Sequence, residues 1–446
     1  MNPVLSMDTA KSLVRWGGRY GIARAVIKAG ARRGDLHGRL ATDPRIRAYP
    51  YALYDEVRSR GDLVPGKFAM MTARHAVAAE ILRHEDFGVG FPQEAMAGPI
   101  GRAVRWAHDD AVTGPVEPPS MLATDGADHA RYRRLVSKAF TARAVEALGA
   151  DVERIAEDLL GRMASAPDGR VDLVAGYAAA LPVQVIAGVL GVPLHMQQTF
   201  LRWGADLTPS LDVDMRYRAF RKSERALREL NTWLGTHFAR LRREPGDDLL
   251  SRVILAGRAE DEPELTDIEL AAVAGLVLTA GFETTVNLIG NAVVLLLAHP
   301  EQLEILRADP TGWRNAVEET LRHDSPVQNT ARHATREVQV RGQMLARFQL
   351  VVVMLAAANR DPAVFADPAR YDVTRSNARD HLAFSAGAHY CLGAALARLE
   401  GEIALRMLFD RYPHLGLTAA PQRRPTRILR GWQHLPVRLQ SAVPVP

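Results

Sequence analysis

The sequence predicts a mainly α-helical single domain with a small β-rich side, and three observations carry that prediction. The longest helical run, from about Thr266 to His299, is apolar through Leu270–Phe282 apart from Thr279. At ~1.5 Å per residue it would span roughly 50 Å, so it must cross the molecule. Residues 142–243 carry apolar positions at helical spacing through Val145–Met163, Leu173–Leu190 and Phe220–Leu241. Candidate strands are short and confined to the hairpin-like 62–72, to 332–354 and to the C-terminal end.

With 446 residues and 47% hydrophobic composition, the chain can bury a large core, and no Pro/Gly/Ser linker divides it. A net charge of +5 does not suggest nucleic-acid binding. One cysteine excludes an internal disulfide or a cysteine-rich zinc site and fits a reducing compartment, which points to the cytoplasm.

Residues 1–40 are set apart as a basic amphipathic helical extension of a domain over 41–446. Before Asp35, Lys11, Arg15, Arg19, Arg24, Lys28, Arg32 and Arg33 face Asp8 alone. Apolar Leu13, Trp16, Tyr20, Ala23, Ile27 and Ala31 recur every three or four residues. Three readings compete: packing on the domain, peripheral contact of residues 1–34 with an anionic membrane surface, or an organelle transit peptide. The segment is too polar to span a bilayer.

From there the chain reads as an extended stretch over 41–53, a short helix near Tyr54–Ser59, a small hairpin over Asp62–Thr72 and a helix over His75–His84. Phe87 to about Ser120 is rich in Gly and Pro, and a loop that long is usually a lid or a binding loop. In 125–140, His129 and Arg133 share a helix face and can grip one anion, although a solvated basic face would look the same.

Within the long helix, Ala280-Gly281-Phe282-Glu283-Thr284-Thr285 departs from a plain apolar run. A helix-interior glycine costs about 0.5–1 kcal/mol relative to alanine, so Gly281 suggests close approach by something else. Thr284 can bond back to the Ala280 carbonyl and loosen that turn. Glu283 beside it adds a carboxyl able to carry protons. A solvated Glu–Thr pair is the ordinary alternative. Further on, Glu319 and Arg322 are spaced to pair on one helix face. Glu337–Val340, a turn at Gly342 and Phe348–Met354 read as strands. Leu429–Leu439 reads as a last hairpin turning at Gly431–Gln433.

The lone cysteine sits in Phe384-Ser385-Ala386-Gly387-Ala388-His389-Tyr390-Cys391-Leu392-Gly393, just ahead of a helix from Ala394 to Tyr412. A lone cysteine is ordinarily a small buried hydrophobe. A helix dipole instead favours the thiolate, and a thiolate binds soft metals. Gly387 and Gly393 permit turn geometry and close approach of a flat group.

The pattern F-x-x-G-x-H-x-C-x-G before a helix closely resembles the haem-binding loop of the cytochrome P-450 family. Ser385 departs from it, since glycine is usual there. The resemblance extends to His129-x-x-x-Arg133, to Ala280–Thr285 and to Glu319-x-x-Arg322, and it runs from about residue 45 onward. Soluble actinobacterial members, including mycobacterial ones with a Gly34-Asp35-Leu36-like segment, are the most similar kind.

The resemblance implies haem b between the long helix and the Cys391 loop, with Cys391 as proximal thiolate. His129, Arg133, Arg332 and His389 would neutralise the propionates, and Phe384 would pack on the sulfur side. Ala280, Gly281 and Gly393 would border the haem, and the strand Glu337–Val340 would run beside it. Glu283 and Thr284 would deliver protons to bound O₂. Residues 197–227 would form a mobile roof, with Val327 and Thr330 facing the substrate. Either Arg370 or Arg375 would complete the Glu319–Arg322 network.

The implied activity is monooxygenation, by hydroxylation or epoxidation, of a lipophilic small molecule. No G-x-G-x-x-G fingerprint opens a βαβ unit, so electrons are expected from separate proteins, which the resemblance implies are an iron–sulfur ferredoxin and its NAD(P)H-dependent reductase. Basic residues around Arg133 and Arg134 are expected to steer the ferredoxin. The alternatives are a peroxide-using haem-thiolate enzyme, a haem-binding sensor, or a thiol nucleophile built on Cys391 and His389.

Overall fold

A computed structural model describes residues 7–90, 98–259 and 265–440. The long helix, Asp267–Ala298, is the axis of the molecule. Its start is fixed by a capping box in which Thr266 and Glu269 satisfy each other's backbone N–H groups. By length and composition this helix could cross a membrane, but it is largely buried against other helices. Ala180–Val189, Gln197–Leu207, Tyr217–Arg243, Trp313–His323 and Ala394–Arg411 pack around it. Two large apolar clusters divide this axis along its length, one around Leu270–Leu278 and the other around Phe282–Leu296.

The β-rich side is a five-stranded sheet. Its order is Val64–Pro65, Met70–Thr72, Leu350–Val353, Thr330–Ala334 and Phe87–Gly88. Only Met70–Thr72 and Leu350–Val353 pair in parallel, with Met71 opposite Val352. Arg332 stands opposite Val351, in the strand nearest the cavity described below.

Several boundaries differ from expectation. The stretch 87–120 is not all irregular, because Gly98–Trp106 is helical. Residues 91–97 of that stretch lie outside the described residues. The strands bordering the cavity are Thr330–Ala334 and its neighbour Leu350–Val353, whereas Val338–Val340 forms a separate hairpin with Gln343–Leu345. The C-terminal segment is not a hairpin turning at Gly431–Gln433. Trp432–His434 pairs with Gln422–Arg423, and Pro436–Arg438 pairs with Arg170–Asp172 and Gly416–Leu417. Period-2 alternation marks a strand but cannot choose its partner across such sequence distances.

The helices Met7–Trp16 and Ile22–Ala31, joined by a π turn over Gly17–Gly21, lie against the helix Tyr217–Arg243 and the segment before it. Three of their cations pair with the rest of the molecule. Arg15 forks onto Glu224, which also accepts from Ser12 Oγ at 2.5 Å. Arg24 reaches the Asp214 carbonyl at 2.6 Å, and Arg19 pairs with Glu117. Met7, Leu13, Ile22 and Val26 are left exposed. The apolar face read from the sequence is largely turned in, with Tyr20 and Ile27 buried and Trp16 packed beside Tyr20, and ion pairs add to the contact.

Candidate functional site

One cavity of about 510 Å³ lies between the central helix, the Cys391 loop, the strand Thr330–Ala334 and the segment 207–213. Its lining is predominantly apolar. Cys391, His129, Arg133, Arg332, His389, Phe384, Ala280, Gly281, Thr284 and Gly393 all border it.

The cysteine loop is held by backbone geometry. Cys391 N–H donates to the Phe384 carbonyl at 2.9 Å. Gly387 has φ +71°, and a Cβ there would sit 2.4 Å from the Leu82 carbonyl oxygen. Only glycine fits both demands. Ser385 adopts φ +62°, a left-handed conformation that costs a β-carbon-bearing residue some strain. Glycine, the usual residue at this position in the family resembled, would carry no such cost.

Cys391 is open to the cavity and otherwise enclosed by protein. Burial pushes its thiol pKa up, and this outweighs the Gly393 N–H, Arg133 and Arg398, which act the other way. A metal ion at the sulfur would act in the opposite direction, because it deprotonates a coordinating thiol.

Around the cavity mouth of this loop the charges are unbalanced. His129 Nε2 is buried without a hydrogen-bond partner. Its imidazole is held neutral, with a pKa down to about 4, by burial, His389 and Arg133. Among the described residues no carboxylate pairs with Arg133 or Arg332. Arg332 is 4% exposed, and burial lowers its pKa to about 10. Its guanidinium reaches only neutral oxygens: Thr330 Oγ1, the Ala331 carbonyl and Ser385 Oγ. The one anion present is Asp125, which accepts from His389 Nε2 at 2.9 Å and from Val89 N–H at 2.8 Å. A buried cationic cluster with an orphaned imidazole nitrogen suits a ligand bearing two carboxylates, as haem b does.

On the central helix, Ala280 and Thr284 face the cavity, and Thr284 Oγ1 donates to the Ala280 carbonyl at 2.8 Å. Gly281 is explained by its neighbour: a Cβ there would lie 2.8 Å from Ile186 Cδ1. Glu283 does not border the cavity. It is 1% exposed and turns toward Arg424, whose Nη1 lies 2.9 Å from Oε1 without hydrogen-bond alignment. Burial raises its pKa, with Arg424 opposing. Neighbours in a helix point about 100° apart, so an adjacent acid and alcohol do not share one face.

Behind the loop, Glu319, Arg322 and Arg375 form the buried network. Arg322 forks onto Glu319 at 2.6 and 2.8 Å, and Arg375 Nε reaches Glu319 at 3.2 Å. Arg370 contributes only its carbonyl, which accepts from both arginines.

Three features escaped the sequence. Glu318 binds Arg398 at 2.7 Å, and the Arg398 guanidinium lies 4.5 Å over the Phe384 ring, tying helix Trp313–His323 to the loop. Arg398 lies seven residues after Cys391, the two-turn spacing that could have flagged it. Asp125 stands at the head of the His129 helix without capping it, and its carboxylate takes His389, 264 positions away, instead. His37, within the first forty residues, borders the cavity. Arg133 borders the cavity and is half-buried.

A family model described as cytochrome P-450 matches residues 313–434. A Mycobacterium tuberculosis protein named cytochrome P-450 140 is 48% identical over 433 residues, covering 97% of this chain and 98% of that protein. The 6-deoxyerythronolide B hydroxylase of Saccharopolyspora erythraea is 43% identical over 325 residues, covering 72% of this chain and 78% of that protein. Among solved structures, P-450 BioI in complex with an acyl carrier protein ligated to hexadec-9Z-enoic acid aligns with a TM-score of 0.81. It is 32% identical, over 89% of this chain and all of that one.

Proposed function

Because this chain belongs to the cytochrome P-450 family, as a haem b monooxygenase of that type, we propose that Cys391 is the thiolate ligand and that the cavity takes a lipophilic small molecule. The observation that carries the assignment is that the only cysteine in the chain opens into the cavity beside four cationic or imidazole side chains.

Haem b, when bound, supplies oxygen activation and insertion of one oxygen atom into the substrate. The protein's own residues supply the rest. His129, Arg133, Arg332 and His389 would hold the two propionates, with Asp125 orienting His389. Arg398 and Phe384 would brace the Cys391 loop. Ala280, small at the cavity wall, would leave room for the group, and apolar side chains would exclude water. Thr284 holds a hydroxyl at the cavity wall, where it positions a proton. Glu283 lies behind it on the Arg424 side, with its pKa raised by burial, as a carboxyl able to exchange protons.

Relatives named as hydroxylases of 6-deoxyerythronolide B and vitamin D(3) support a substrate of the polycyclic or macrocyclic lipophilic kind. Electrons come from an iron–sulfur ferredoxin and its NAD(P)H-dependent reductase, in the cytoplasm. The test is the absorption spectrum of the reduced, carbon-monoxide-bound holoprotein. A strongly red-shifted Soret band, lost in Cys391→Ala, is expected. A band unchanged by that substitution would overturn the assignment. NADH-supported turnover with ferredoxin and reductase, absent without the ferredoxin, tests the electron route.

A further inference from the structure

The cavity has a polar corner built by three segments, none of which is the Cys391 loop. His37 comes from the N-terminal region, Ser210 from the turn after the helix Gln197–Leu207, and Arg427 from the C-terminal region. His37 is 8% exposed, and its Nδ1 has no hydrogen-bond partner among the described residues. Ser210 Oγ is likewise buried and unpartnered. Both are held in place by other contacts. The His37 ring stacks on Phe68 at 5.5 Å and 10°, and the Ser210 carbonyl accepts from Tyr20 Oη at 3.0 Å.

The charges nearby are already matched. Arg427 pairs with Asp214 at 2.6 Å, and Arg24 donates to the Asp214 carbonyl. Asp212, two residues after Ser210, accepts from the main-chain N–H groups of Arg427 and Ile428. Burial, with Arg427 acting in the same sense, keeps the His37 imidazole neutral, with a pKa near 4. Two buried polar atoms without partners are unfavourable unless a ligand satisfies them. An anionic ligand would find no free counter-charge, because Arg427 is already paired with Asp214. A neutral oxygen matches both atoms, since imidazole and serine can each donate or accept.

We propose that His37 and Ser210 form a subsite for a neutral hydroxyl or carbonyl oxygen on an otherwise lipophilic substrate, anchoring it at a point away from the carbon that is oxidised. This deepens the monooxygenase reading and rests on it. The test is calorimetric titration of the holoenzyme with four probes of similar length: decan-1-ol, decan-2-one, decanoate and undecane.

The alcohol and ketone are expected to bind at least tenfold more tightly than undecane or decanoate. The double variant His37→Phe/Ser210→Ala should reduce that preference below threefold and leave undecane unchanged. Ser210→Ala alone, the milder change, should reduce it about threefold. Equal binding of decan-1-ol and undecane by the native protein would overturn the proposal. So would a preference that survives Ser210→Ala and the double variant. The carbon-monoxide spectrum of the same preparations separates the two claims. A thiolate band without headgroup preference removes only the subsite. Headgroup preference without a thiolate band removes only the haem-thiolate reading.

Discussion

The imidazoles of His129 and His389 lie 4.2 Å apart, centroid to centroid, and they differ in what holds them. His389 has Asp125; His129 has no hydrogen-bond partner on Nε2. The unpartnered ring is therefore the one poised to donate to an incoming carboxylate, and the paired ring is fixed without it. His129→Ala should speed haem loss about tenfold, equivalent to about 1.4 kcal/mol, measured by transfer to a haem scavenger. Asp125→Asn should have a smaller effect, acting only through the orientation of His389.

Ser385 sits at φ +62° between Phe384 and the Ala386–Gly387 turn. Ser385→Gly removes a left-handed strain and gives up only a 3.4 Å contact with Arg332. The substitution should stabilise the protein by about 0.5–1 kcal/mol, read as a higher denaturant midpoint with unchanged slope. An unchanged or lower midpoint would mean that the Arg332 contact outweighs the strain.

Glu319 and Arg322 are fully buried, and Arg375 closes the set. Removing the carboxylate leaves two guanidinium groups without a counter-charge. Glu319→Ala should destabilise by about 3–5 kcal/mol in equilibrium unfolding. Arg370→Ala should be close to neutral, because only its carbonyl takes part.

Glu318 sets a pH limit. Burial acts to raise its pKa, but hydrogen bonds from His381 and Arg398 outweigh that and hold it at about 2. Its folded value lies below the unfolded one of about 4.3. The stabilisation is therefore complete above that value and is lost as pH falls toward 2. Up to about 3 kcal/mol should disappear across that window. Glu318→Gln should flatten this part of the acid-stability curve.

Thr284 is the one hydroxyl of the Glu283–Thr284 pair at the cavity wall. Thr284→Ala should leave NADH and O₂ consumption largely intact while product falls about tenfold and hydrogen peroxide rises. Coupling equal to the native enzyme would show that protons enter elsewhere.

The helical frame and the Cys391 loop were legible in the sequence because both are local. Apolar spacing fixes a helix, and Gly387 fixes a turn that only glycine can make. What failed to read through was set by distant partners. The strand beside the cavity was placed at Glu337–Val340, but pairing with Leu350–Val353 selected Thr330–Ala334. Glu283 and Thr284 looked like one unit, yet Arg424, 141 positions later, lies where the acid turns. The choice between Arg370 and Arg375 depended on how a loop folds back, which spacing does not encode.

The paired cations of residues 7–31 bear on how the molecule is made. Ser12 and Glu224 are 212 positions apart, so this segment leaves the ribosome long before its partners exist. During synthesis it waits as a basic strand with nothing to clasp. Once the Glu224 helix has formed, the segment can dock on it, and His37 follows into the cavity wall. The wall is complete only when Arg427–Leu429 joins it, so the first and last parts of the chain meet at the chamber at the end of synthesis.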